Sequence, residues 1–135
     1  MFVWALILYG LTVAPTTSFW DAGEFIAIAN RLEVSHPPGA PVYMLLGRIV
    51  SMFIPTAYVA LSVNLISVVA SAVTVLLTHL IIVRLIRRWR GNPASWSAAD
   101  RVVTLGGGVI GALTFAATDS FWFNAVEAEV YALSM

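Results

Sequence analysis

Apolar and polar positions fall along this chain in blocks long enough to define membrane segments. Residues 1–14 are uncharged and mostly apolar, and the run stops at Pro15. A helix needs about 20 residues to cross a hydrocarbon core of about 30 Å, so a span here has to tilt or extend toward Trp20. A cleaved signal peptide would carry a basic residue ahead of the apolar run, and none precedes this one. Residues 1–14 are therefore read as an uncleaved first transmembrane helix.

Residues 15–57 break the apolar pattern and are read as an external loop. Thr17 or Ser18 is a candidate helix cap, with Asp21 three residues after Ser18 in capping-box spacing, and Phe25, Ile28, Ala29 and Leu32 recur at helical intervals. At about 100° per residue, Asp21, Glu24, Ile28 and Arg31 fall on one side of this helix. It is too short and too charged to span, so it is expected to lie in the interface and to end before His36, where Pro37 and Pro38 disfavour helix. After the turn His36-Pro37-Pro38-Gly39-Ala40-Pro41, residues 42–53 are apolar but for Arg48 and too few to cross. They suit a second interfacial or re-entrant helix.

Residues 58–86 are uncharged until Arg84 and long enough to span with tilt. Ala60, Asn64, Ser67, Ser71, Thr74 and Thr78, spaced four, three, four, three and four, form a seam of small and weakly polar groups suited to close helix packing, with Val, Leu and Ile turned toward lipid. His79 lies beside the seam; an intramembrane histidine can relay protons, but near a helix end packing or interfacial anchoring outweighs that role. Residues 102–118 form the third expected span. Its Gly107 and Gly111 make a GxxxG pair, and no Gly-Lys-Ser/Thr follows to make a phosphate loop. Residues 119–135 carry an aromatic belt and are read as an external segment leading into a fourth span, which makes residues 1–135 the N-terminal part of one membrane-embedded domain, polytopic and all-α.

Charge orients these segments. The connection at residues 87–101 and the helix end before it hold five arginines against Asp100, residues 15–57 hold Arg31 and Arg48 against Asp21, Glu24 and Glu33, and residues 119–135 hold Asp119, Glu127 and Glu129. By the positive-inside rule the arginine loop is cytoplasmic, and the two acidic segments meet on the external face. Arginines directly after an apolar run read as membrane anchoring rather than nucleic-acid binding. Composition agrees. The chain is 60% hydrophobic and 10% charged, against about 25% charged in soluble domains, so the lipid bilayer is its solvent. There is no cysteine, which removes disulfide and thiolate chemistry.

Paired carboxylates at a membrane surface, with arginine nearby, suit general-base activation of a hydroxyl while a phosphate leaving group is stabilised by positive charge. Other readings stand beside this one. Asp21 and Glu24 are also what a helix N-terminus favours, His36 suits a turn, and Glu127 and Glu129 lie about 200° apart on a helix, so one at most faces a given site. Asp21, Glu24 and His36 are a possible divalent-cation set, though their spacing is not that of a zinc site.

The order Phe19-Trp20-Asp21-Ala22-Gly23-Glu24-Phe25, His36-Pro37-Pro38-Gly39-Ala40-Pro41, Asn64-Leu65-Ile66-Ser67 and Phe121-Trp122-Phe123-Asn124-Ala125-Val126-Glu127-Ala128-Glu129 resembles the N-terminal region of a family of polytopic membrane proteins associated with protein O-mannosyl transfer. That family is similar to glycosyltransferases of the C-type membrane fold, which take a sugar from a polyprenyl-phosphate carrier. The resemblance implies that Asp21, with Glu24 beside it, is the acid of the first external loop, accepting the proton of a Ser/Thr hydroxyl of an acceptor protein in an inverting transfer. Glu127 and Glu129 match a second acidic motif without an assigned role. Charge and location alone suggest Arg31 or Arg48 for the departing lipid phosphate. Compact loops favour a bacterial inner membrane with the site on the periplasmic side. A different class stays open, a transporter fragment or scaffold whose outward acids bind a cation or partner. Transporters, however, place charged groups near mid-membrane, and here the acids gather at one surface.

Overall fold

The computed structural model describes all residues except Phe19, Pro38, 92–94 and Met135, so the second proline of the turn and the first residue of the leading motif lie outside the described residues. The described residues are all-helical. In order they form α1 (Phe2–Thr12), α2 (Ala22–Arg31), α3 (Pro41–Ser51), a 3-10 turn at Thr56–Tyr58, α4 (Val59–Arg90), α5 (Ala98–Ala116), α6 (Asp119–Val126) and α7 (Tyr131–Ser134).

Two of these, α4 with its preceding turn and α5, are long and apolar enough to cross a membrane. The core helix of a soluble protein would be mostly buried, whereas only 28% and 17% of their most apolar windows are, and Leu65, Val69, Val73 and Leu77 form an exposed apolar stripe on α4. That stripe lies opposite the seam, where the apolar side was expected. The expected first span is shorter than proposed. The eleven residues of α1 rise only about 16 Å, without the length to cross alone, and α1 packs against α4 and α6 and reaches the end of α5. Its Ala5 and Tyr9 are buried with Val68, Ala72, Val75, Ala112 and Ala116, and the Tyr9 hydroxyl donates to the Ala116 carbonyl at 2.8 Å. The α4 helix also runs on past residue 86 to Arg90, because nothing breaks it before Gly91.

The seam of α4 is buried where it matters for the site: Asn64, Ser67 and Ser71 have no exposed surface. Asn64 Nδ2 donates to the carbonyls of Ala14 and Thr16 at 2.7 and 3.0 Å. These bonds tie the chain leaving α1 to the helix that everything else packs on. On α5 the buried row is Thr104, Gly108, Ala112 and Ala116, one residue over from the expected pair. A Cβ on Gly108 would lie 2.5 Å from Val83 and 2.9 Å from His79 Nδ1, and one on Gly111 would lie 2.7 Å from Ile82. Glycine at 108 lets the two long helices approach, with His79 part of that packing, while a side chain at 111 would have to displace the tip of Ile82.

The start and the end of α2 differ from expectation. Asp21, not Thr17 or Ser18, is the residue preceding α2, and it makes no side-chain capping bond; the Ser18 hydroxyl is instead drawn to Glu127. The helix also stops at Arg31, where Leu32 takes a left-handed conformation (φ 57°) and its N–H closes the last turn on Ala29 and Ile28. The prolines are therefore not what ends it. Pro41 occupies the first position of α3, where its fixed φ suits a helix and its missing N–H costs nothing.

Candidate functional site

The α2 and α3 helices lie against each other and against the start of α4, through Phe25, Ile26, Ala29, Tyr43, Met44, Val59 and Val63. Gly47 of α3 sits directly under α2, where an added Cβ would lie 2.7 Å from the Ala29 Cβ. This packing faces Ile28 inward and leaves Asp21 and Glu24 outward, so the expected shared face is divided: Ile28 is buried, while the charged members are not.

Glu24 is a clamp. It accepts the His36 backbone N–H at 3.0 Å and meets His36 Nδ1 at 3.0 Å, one turn of helix thereby holding the His-Pro turn. The His36 backbone and side-chain bonds keep the Glu24 carboxyl below its ordinary 4.5, and the bond to Glu24 raises the His36 imidazole above its ordinary 6.5. Asp21 stands on the other side of the ring, 3.9 Å from Nε2. The imidazole also lies 5.8 Å from the Phe25 ring, which in turn meets Tyr43 edge-on at 6.2 Å. Asp21, Glu24 and His36 offer donor atoms within 4.8 Å of one another, an oxygen-rich, solvent-open set of the kind that suits Mg²⁺ or Mn²⁺ better than zinc.

The second acidic motif comes to the same end of the molecule. The break between α6 and α7 is fixed at three points: Ala14 N–H donates to the Val126 carbonyl at 2.8 Å, Ser18 donates to Glu127, and Ser67 Oγ exchanges bonds of 3.3 Å with the Glu129 N–H and carbonyl. The Tyr43 hydroxyl reaches Ser67 Oγ at 3.3 Å, which links α3 to the same junction. The two glutamates thereby take different roles. Glu127 is buried and engaged by Ser18. Glu129 is pushed above its ordinary 4.5 by burial first, then by the Glu127 and Asp21 carboxylates.

Arg31 and Arg48 are not gathered here. Arg31 ends α2, about 15 Å along the axis from Asp21, and its nearest carboxylate is Glu33 at 3.9 Å. The Arg48 guanidinium donates to the Asn30 carbonyl and braces α3 to α2. Three residues were not singled out for the site by sequence reasoning. Trp20, 92% exposed with φ 58°, precedes Asp21 in a backbone conformation costly for a bulky residue. Tyr43 carried no signal beyond an apolar run, and the pairing of Ser18 with Glu127 joins residues 109 apart in sequence.

Beside the acids the surface turns apolar. A hollow of about 500 Å³ is lined by Ala40, Val42, Tyr43, Val130, Tyr131 and Leu133. Leu133 is shared with a second hollow of about 690 Å³ that follows α3 and α4 through Leu46, Val50, Leu65, Val69 and Val73.

Because the Glu24–His36 contact needs an anionic carboxylate and benefits from a cationic ring, its pH window follows from the two shifts. A lowered Glu24 supports the contact above 4.5 and loses it as pH falls through the depressed value; a raised His36 supports it fully below 6.5 and loses it as pH rises through the elevated value. In an imidazole chemical-shift titration His36 is expected to titrate above 6.5, and Glu24→Gln to move it down toward that value. An unchanged midpoint in Glu24→Gln would remove the clamp.

The chain thus has two helices long and apolar enough to cross a membrane, with acids, a histidine and an apolar hollow gathered at one end. It belongs to the family described as the Protein O-mannosyl-transferase TMEM260 N-terminal domain, whose model matches residues 21–135. The chain is 28% identical over 136 residues to Protein O-mannosyl-transferase tmem260 of Dictyostelium discoideum, covering 99% of this chain and 15% of that protein. It is 30% identical over 127 residues to Protein O-mannosyl-transferase TMEM260 of Mus musculus, covering 94% of this chain and 16% of that protein. The chain therefore spans under a fifth of the length of these relatives. No solved structure matches it.

Proposed function

We propose that this chain supplies the acidic site of a membrane glycosyltransferase of the C-type class, which moves mannose from a polyprenyl-phosphate carrier to a Ser/Thr hydroxyl of an acceptor protein. The observation that supports the reading is the grouping of Asp21, His36 and Glu129 at the end of the molecule where, from Gly39 and Val130 onward, two apolar hollows joined at Leu133 begin. A lipid-borne sugar needs both, a polar end for the reacting centre and an apolar track for the isoprenoid. Asp21 takes the hydroxyl proton as the oxygen attacks the anomeric carbon; the bond from that carbon to the phosphate oxygen breaks, and polyprenyl phosphate leaves with its electron pair. Attack opposite the leaving group inverts the anomeric centre. Asp21 suits this role because no described residue uses its carboxylate as a cap, whereas Glu24 is spent on His36. His36, whose protonated form the Glu24 bond favours, is assigned to the departing phosphate, in preference to Arg31 and Arg48, which lie a helix length away. The site faces the side opposite the arginine-rich connection, the periplasmic side of a bacterial inner membrane.

The donor is the point to test. Membranes carrying the gene product are expected to transfer radiolabelled mannose to protein from polyprenyl-phosphate mannose and not directly from a nucleotide-linked mannose when lipid-linked donor synthesis is blocked. Transfer from the nucleotide sugar alone would contradict the reading. The same assay with a chelator separates two ways of neutralising the phosphate. Loss of transfer, restored by Mg²⁺ or Mn²⁺, would show that a cation takes part, with Asp21, Glu24 and neutral His36 the set able to hold it; unchanged transfer leaves His36 acting without one.

A further inference from the structure

At the opposite end of the molecule the two long helices meet in a second pocket, distinct from the acidic site. The last turns of α4 carry Arg84, Arg87, Arg88 and Arg90, and Arg101 lies in the first turns of α5. The single acid here is Asp100, and it is fully engaged: it accepts from the Ser97 N–H at 2.9 Å and the Ser97 hydroxyl at 2.7 Å, and it pairs with Arg90. Arg90 also lies 5.9 Å from the centre of the Trp96 ring. Among the described residues, Arg87 and Arg101 have no carboxylate partner.

Arg87 and Arg101 line one cavity of about 270 Å³ from opposite helices, with Val83, Trp96, Thr104 and Leu105. An adjoining hollow of about 440 Å³ shares Val83 and Arg87 and adds Leu80 and Arg84. The register is the informative part. On α4, Val83 lies one turn deeper than Arg87; on α5, Leu105 lies one turn deeper than Arg101. Both helices therefore present a guanidinium at the outer level and an apolar side chain directly below it. Bare anions would have no use for the apolar floor, and a neutral amphiphile none for two unpaired cations.

We infer that this elbow between α4 and α5 is a binding site for an anionic phospholipid, its phosphate held between Arg87 and Arg101 and its upper acyl chains against Val83, Leu80 and Leu105. The site stands apart from mannosyl transfer and does not depend on it. Basic pockets between membrane helices are known to hold anionic head groups, and each arginine near such a surface contributes enough that its loss lowers binding about fivefold, and loss of two about thirtyfold.

The test is native mass spectrometry of the protein in detergent with equal amounts of phosphatidylglycerol and phosphatidylcholine. The expected result is selective retention of phosphatidylglycerol, reduced about fivefold by Arg87→Gln or by Arg101→Gln and about thirtyfold by the pair, but kept by Arg88→Gln, which removes the same charge from a residue lining neither hollow. An equal loss in Arg88→Gln would reduce the effect to diffuse charge and overturn the site. So would displacement of the lipid by inorganic phosphate at matched concentration, which would make the pocket a simple anion site. Equal retention of phosphatidylcholine would equally contradict it.

Discussion

Asp21→Asn is expected to lower mannosyl transfer by about two orders of magnitude or more, the usual contribution of a positioned general base, while leaving the fold intact. The carboxamide is isosteric and the fold does not lean on the carboxylate. Asp21 makes no capping bond at the start of α2, and its contact with His36 is long, 3.9 Å, between groups about half exposed. A residue with so little structural work should report on chemistry alone. The contrast is Glu24→Gln, which keeps acceptance of the His36 N–H and loses the ion pair, so its effect should be smaller and should follow the titration of His36. If Asp21 were only a residue favoured at a helix start, its amide would be tolerated, since Asn precedes helices as readily as Asp.

Gly47→Ala is expected to cost about as much activity from a position that touches no substrate. The added methyl would stand 2.7 Å from the Ala29 Cβ, against about 3.5–4.0 Å for carbon atoms in ordinary contact. Ala29 cannot rotate away because its Cβ is fixed to the backbone, so α2 has to move off α3 by about 1 Å, carrying Asp21 and Glu24 with it. A misplacement of that size can cost about a hundredfold in rate, and the overpacking itself about 1–3 kcal/mol of stability. Transfer rate and thermal unfolding in detergent check the two parts separately. The double variant Gly47→Ala/Ala29→Gly returns the methyl count at the contact to its original value and is expected to recover most of the activity. Gly10→Ala, where a Cβ meets nothing within 4 Å, should change neither. A Gly47→Ala protein with normal activity would mean that the spacing of α2 and α3 does not set the site.

Legibility in the sequence follows from how local each feature is. The apolar run of α4 and its seam of Asn64, Ser67 and Ser71 announce themselves by length and by spacing, because both are properties of one helix, and the structure buries those three residues as the period requires. The charge segregation likewise foretold that the two acidic segments meet: Ser18 of the first donates to Glu127 of the second. Features decided by distant partners were misread. Ser18 has the spacing of a cap, yet a glutamate brought alongside by α6 takes its hydroxyl. Asp21, Glu24, Ile28 and Arg31 share a helical face on paper, but the burial of Ile28 against α3 and α4 divides them, and the length of α2 carries Arg31 away from the acids. The expected glycine pair on α5 does face α4, Gly107 toward Ile86 and Gly111 toward Ile82, while the most deeply buried row, Thr104, Gly108, Ala112 and Ala116, runs beside it where His79 and Val83 pack. The first span came out short since the chain turns extended at Val13, ahead of Pro15, and Asn64 of α4 takes the Ala14 and Thr16 carbonyls, a long-range tie that hydropathy alone does not show.

A scaffold or transporter segment would hold the same helices and the same outward acids, so packing cannot separate it from an enzyme; the carboxylates can. The deciding measurement is the initial rate of mannose transfer from polyprenyl-phosphate mannose to protein, in membranes carrying the gene product at matched expression, for wild type, Asp21→Asn, Glu24→Gln, Glu127→Gln and Glu129→Gln. Asp21→Asn is expected to lower transfer by about two orders of magnitude or more, Glu129→Gln to lower it and alter its pH dependence on the acid side, and Glu24→Gln to leave more activity than Asp21→Asn. Wild-type transfer that is retained in full by all four variants would contradict the account and reduce these carboxylates to clamps and helix ends.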